Sequence, residues 1–140
     1  MDALSIVRSA VSIAAACRSL YIFFAKVQDG DPIVIGVRKE IEGMENTVRS
    51  VRSIADSQIT NGLHASEWRN VHRILNDSED CILQLSVSLG KPDSSQEATV
   101  LKRIWRQWAV ELKRDQLVAY QNRMATNRQD LNCALQAISM

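Results

Sequence analysis

Glycine and proline are scarce in this chain, with five Gly and two Pro among 140 residues. That leaves few places for tight hairpin turns and little punctuation inside long segments. Histidine occurs only as His64 and His72, with no Cys or carboxylate at ligand spacing, so no metal site is expected. The three cysteines, Cys17, Cys81 and Cys133, are odd in number and far apart. They make no disulfide framework and read as buried free thiols of a reducing compartment. A glycine-rich phosphate loop is missing. A nucleophile pair from Cys81 and His72 is excluded, because nine residues set two side chains on opposite sides of a helix. With no acid–base or nucleophile pair converging, the chain is expected to be no enzyme and to need no cofactor.

A conventional membrane span is also lacking. Arg8 and Arg18 leave nine uncharged residues between them, against the ~20 a bilayer requires. The start lacks the basic region and small-residue cleavage pattern of a secretory leader. A soluble, cytoplasmic protein is the expectation.

What is present fits one domain over residues 1–140, long enough to bury roughly two-thirds of its unfolded surface. An apolar content of 46% with 24% charged residues argues against disorder. The net charge of +1 conceals an asymmetry. Residues 1–98 carry ten Lys/Arg against thirteen Asp/Glu, whereas residues 99–140 carry seven against three.

Hydrophobic periodicity predicts an all-α, up-and-down bundle of four to five helices, at about 2–27, 33–57, 66–89, 96–113 and 115–138. In the first, Ser5, Arg8, Ser9, Ser12, Ser19 and Lys26 share a thin polar edge. Ile6, Ala10, Ile13, Cys17, Leu20, Tyr21 and Phe24 lie across from it. Gly30 and Pro32 are placed to stop that helix and start the next. Val37, Ile41, Met44, Val48, Val51 and Ala55 then form a seam at 4-3-4-3-4 spacing. Gly36 and Gly43 weaken this helix by about 1 kcal/mol each relative to Ala, so packing must hold it. Its other face, with Arg38, Lys39, Glu40, Glu42, Glu45, Arg49 and Arg52, reads as solvated.

Ser66 followed by Glu67 reads as an N-cap with a favourable first-turn charge. Trp68, Val71, Leu75, Ser78, Ile82, Leu85 and Leu89 give the third seam, closed by Gly90 and Pro92. The last 45 residues contain neither Gly nor Pro. Leu101, Ile104, Trp105, Trp108 and Leu112 make one stripe; Leu117, Tyr120, Met124, Leu131, Leu135 and Ile138 make another. The phase breaks at residues 113–115, which leaves open one long helix or two with a kink there; the kink is the favoured expectation, with Asp115 placed to cap a new helix.

Basic residues interleaved with tryptophan at Lys102, Arg103, Trp105, Arg106 and Trp108 can meet an anionic membrane. The plainer alternative is a bundle helix with core tryptophans and solvated cations. Too few cations share a face for nucleic acid to be an expected partner.

The opening Met1-Asp2-Ala3-Leu4-Ser5-Ile6 before a Ser/Ala-rich apolar helix resembles the fungal N-terminal domains attached to STAND (NOD-like) receptors and ankyrin-repeat proteins. The stretches from Arg103 to Trp108, Leu112 to Leu117, and Leu131 to Leu135 are similar to that family's Trp, Lys and terminal Leu-rich pattern. The resemblance covers nearly the whole chain and rests on apolar helix positions. It implies a HeLo-like bundle of the kind found in incompatibility and necroptosis proteins, which self-associates on activation and frees its first helix to perturb the plasma membrane. Carried onto this chain, Leu4, Ile6, Val7, Val11, Ile13, Leu20, Ile22, Phe23 and Phe24 become the lipid-contacting set. Arg8 and Arg18 depart from an unbroken apolar helix. No receptor ATPase, repeat array or prion-like tail lies within these residues, so the trigger is expected to be a protein partner or a downstream receptor module. The rival expectation, from another class, is a protein-binding or oligomerisation adaptor with an apolar patch around Trp105 and Trp108 and no membrane activity.

Overall fold

The computed structural model describes residues 3–58, 64–90, 95–111 and 114–139; the side chains at 3, 58, 108–111 and 114 are outside that description. The described residues form five helices: α1 (Ala3–Val27), α2 (Pro32–Gln58), α3 (Ala65–Ser88), α4 (Ala98–Glu111) and α5 (Arg114–Ser139). The architecture is all-α, and each boundary falls within two residues of the sequence expectation. α4 and α5 are separate elements, and residues 112 and 113 between them, where the kink is expected and which include the seam residue Leu112, lie outside the described residues. Asp115 sits in the first turn of α5, where its charge suits the helix N-terminus.

The apolar seams are the core. Every expected α2 and α3 seam position is buried, as are Ile6, Ala10, Ile13, Cys17, Leu20 and Phe24 of α1. Tyr21, expected on the same arc, is only half-buried. Ser78, the one polar seam residue, satisfies its hydroxyl by donating to the Ile74 carbonyl at 2.8 Å, one turn back. Packing runs from α1 to α2, α2 to α5, α5 to α3 and α3 to α1, a closed ring of four helices, and α4 packs on α1.

Three local expectations need correction. The left-handed residue ending α1 is Gln28 (φ 55°), not Gly30, and its N–H donates to the Phe24 carbonyl at 3.2 Å. Asp29 and Asp31 then shape the turn. Asp29 Oδ1 accepts from the Asp31 N–H and Asp31 Oδ1 from the Ile33 N–H, both at 2.9 Å, which caps α2 ahead of Pro32. Second, Ser66 is not the N-cap of α3. That place belongs to His64, left-handed at φ 59° and making no side-chain cap. Ser66 instead donates to its neighbour Glu67 at 3.1 Å. At the end of α3 the expectation for Gly90 holds, at φ 78° and donating to the Val87 carbonyl, while Pro92 lies outside the described residues. Third, Cys133 is exposed. The α5 seam runs through Leu131, Ala134, Leu135 and Ile138, and two residues past Leu131 the chain has turned about 200° outward.

The supposedly solvated face of α2 is in part an interface. Gly36, Glu40 and Gly43 recur at 4-3 spacing and form a second stripe toward α5. A Cβ on Gly36 would sit 2.7 Å from Gln121 Nε2, and one on Gly43 would sit 3.1 Å from Arg128 Cδ. Bare backbone at these two points lets α5 approach, with Gln121 and Arg128 also seven residues apart. Arg128 Nε donates to Glu40 Oε1 at 2.6 Å across the same contact. Glu45, also expected in solvent, is buried and accepts from Arg49 at 2.8 Å.

Candidate functional site

The nine α1 residues singled out for lipid do not share one environment. Ile6, Ile13, Leu20, Phe23 and Phe24 are core residues, each 3% exposed or less. Val7 and Ile22 are half-buried, while Leu4 and Val11 stand exposed at 50% and 43%. Seven residues separate Leu4 from Val11, so they share an outer face of α1. By length and composition Leu4–Val27 is apolar enough to cross a membrane in spite of Arg8 and Arg18, and 44% of its most apolar stretch is buried in the bundle. A core helix passes the same test.

The C-terminal end of α1 is held by α4. The rings of Phe23 and Phe24 meet edge to face at 5.2 Å, and Trp105 adds a third ring 6.3 Å from Phe23 and 5.7 Å from Phe24. Trp105 Nε1 donates to Asp29 Oδ2 at 2.7 Å. Lys26 Nζ donates to the Gln96 carbonyl at 3.1 Å. Trp105 is therefore not part of a basic, aromatic surface: it is 5% exposed, and its indole is used inside the molecule. The Trp108 side chain lies outside the described residues. Of the expected basic surface, Arg103 and Arg106 are exposed and Lys102 is half-buried. These three cations span about 100° of α4, away from the Leu101–Trp105 side.

A polar cluster between α3 and α5 escaped the sequence reading. Arg123 Nη2 donates to Asp77 Oδ1 at 2.6 Å and to Asp80 Oδ2 at 3.1 Å, and Asn127 Nδ2 donates to Asp77 Oδ2 at 2.9 Å. These hydrogen bonds, Arg123 first and Asn127 next, hold the Asp77 carboxyl below its ordinary value of 3.8. Asn127 occupies the seam place between Met124 and Leu131 and is buried. Its position at the right spacing was the available signal, obscured by its polarity.

Burial pushes the Cys17 thiol up to about 12 and the Cys81 thiol up to about 11, so both keep their protons at neutral pH and are poor nucleophiles. Among the described residues, no three His, Cys, Asp or Glu side chains gather to hold a metal ion. The Trp68 indole N–H is buried without a partner among them. A groove of about 280 Å³ runs between α1 and α3, lined by Ala16, Leu20, Ile82, Leu83 and Val87 among others. Leu83 and Val87 at its edge are 51% and 58% exposed.

Comparison with family models, with curated proteins and with solved structures finds no match to this chain.

Proposed function

We propose that this chain is a HeLo-like cell-death effector domain of fungal type, which self-associates and permeabilises membranes through α1. The observation that supports it is the double character of α1. The helix completes the core, yet it is long and apolar enough for a bilayer and keeps Leu4 and Val11 outside. Four large residues moved into lipid gain roughly 6–12 kcal/mol at ~1.5–3 kcal/mol each, which offsets the lost core contacts only when self-association adds more. On this reading the domain is cytoplasmic at rest and is recruited to the anionic face of the plasma membrane, with Lys102, Arg103 and Arg106 of α4 toward the headgroups. A partner protein or receptor module supplies the trigger.

The test is dye release from vesicles containing anionic lipid. The double variant Leu4→Asp, Val11→Asp changes only exposed positions, so helical content by circular dichroism is expected to stay at the wild-type level while leakage falls at least tenfold. Unchanged leakage, or none from the wild-type chain at any concentration, refutes the reading.

The second reading is an adaptor that binds protein and leaves membranes alone. With Trp105 in the core, its patch moves to Leu83 and Val87 beside the α1–α3 groove. Sedimentation that shows self-association abolished by Leu83→Asp, with no vesicle leakage, favours it.

A further inference from the structure

We propose that α4 is a latch on α1. Trp105, seated on Phe23 and Phe24 and tied to Asp29, sets how readily the C-terminal part of α1 opens, without setting the stability of the four-helix ring.

The ring of α1, α2, α5 and α3 closes on itself without α4. At 14 residues α4 is short for an isolated helix, so side-chain contacts must hold it. Those contacts converge on one end of α1. Leu101 and Trp105 are buried, and Ile104 packs partly against the core. Trp105 meets Phe23 and Phe24, and Lys26 reaches the chain just ahead of α4. The outer side differs: Lys102, Arg103 and Arg106 form no ion pair among the described residues.

Asp29 makes this attachment a latch rather than extra packing. Its Oδ1 accepts from the Asp31 N–H in the turn that joins α1 to α2, while its Oδ2 accepts from the Trp105 indole. One carboxylate thus shapes the turn on which α1 would swing and also holds the helix that blocks the swing. Seating Trp105 favours the closed turn, and unseating it removes the ring contacts and one of the two Asp29 bonds together. The bulk of α1, from Ile6 to Leu20, faces the ring and is beyond reach of the latch. Opening therefore starts at the Phe23–Phe24 end.

Hydrogen exchange followed by mass spectrometry on the full chain tests this. Trp105→Ala is expected to speed exchange of amides 20–33 on the order of tenfold or more, and Trp105→Phe by a smaller factor, with α3 and α5 keeping wild-type rates. Acceleration of α3 and α5 together with α1 overturns the proposal, since α4 would then belong to the global unit. Unchanged exchange over 20–33 overturns it as well. Should Trp105→Ala fail to fold, Trp105→Phe and Asp29→Ala carry the same comparison. What the latch does to membranes rests on the function proposed above: latch variants should release dye at several-fold lower protein concentration. Local opening without greater leakage would sink the membrane reading and leave the latch standing.

Discussion

Helices α4 and α5 come from one stretch without Gly or Pro, have similar apolar stripes, and end in different places. α5 fills the last place in the ring, touching α2 on one side and α3 on the other. α4 reaches α1 near its end and holds on with an aromatic plug. The difference lies in what flanks each stripe. Beside its apolar seam α5 carries Gln121, Arg123 and Arg128, and within it Asn127, and each meets a group on a neighbouring helix: Gly36, Asp77 with Asp80, Glu40 with Gly43, and Asp77. The corresponding flank of α4 is Lys102, Arg103 and Arg106, which make no ion pair among the described residues. A helix acquires two neighbours when polar residues on both sides of its seam find complements; apolar periodicity alone earns it one.

The largest expected effect breaks the ring. Met124 is fully buried on α5, so Met124→Ala should lower global stability by about 2–5 kcal/mol, read from the urea midpoint at unchanged slope. Trp105→Ala, confined to α4 and one end of α1, should leave the urea midpoint close to wild type although a larger side chain is lost. The reverse order would mean that α4 is as integral as α5, and the contrast between them would fall.

A smaller effect is expected from the polar flank. Arg123→Ala should destabilise by about 1 kcal/mol near pH 7, because the arginine and its two carboxylates are partly solvated and screened. The pH dependence has a definite sign. Asp77 is held below its ordinary value of 3.8 chiefly by Arg123, so its contribution is present above that value and disappears as pH falls beneath it. The gap between wild type and Arg123→Ala should therefore be constant from pH 7 to about pH 5 and should narrow below about pH 4. A gap that persists at pH 2 would mean that the arginine acts through its packed stem instead of its charge.

The contrast also explains what could be read from the sequence. Core seams were legible because burial follows a 3.6-residue period, and residues such as Val37, Leu75 and Met124 announce it. The place of α4 was not, since a Trp-and-Arg stripe is the same string whether the indole faces Phe24 or a headgroup. Nor could spacing show that Gly36 and Gly43 mark an approach of α5. Read alone they are two weak points in a helix, and their purpose is visible only when Gln121 and Arg128 stand opposite. The same holds for Glu40 and Asp77, acidic residues whose partners lie 88 and 46 residues away in the chain. Within the α1 set, periodicity alone separates Ile6 and Ile13, on the arc across from the polar edge, from Leu4 and Val11 about half a turn away, and burial follows that division; only the family resemblance groups all four as lipid-contacting.

The smallest effect separates the two glycines of α2. Replacing either by Ala gains up to about 1 kcal/mol of helix propensity, so the sign of the net change is set by what the new Cβ meets. At Gly36 it meets the terminal amide of Gln121, the free end of a flexible side chain that can swing aside, and Gly36→Ala should raise stability by about 0.5 kcal/mol. At Gly43 it meets Arg128 at Cδ and Nε, 3.1 and 3.2 Å away, in the middle of a side chain whose Nε is committed to Glu40. Relief there requires turning the guanidinium off the carboxylate, so Gly43→Ala should be neutral or lower stability by up to about 1 kcal/mol. Repeating both substitutions in an Arg128→Ala background, by thermal melts, isolates the cause: the two alanines should then become equally stabilising. If they differ as much without Arg128 as with it, the tie between α2 and α5 is not what the missing side chain at Gly43 makes room for, and α5 must owe its second neighbour to the apolar seam alone.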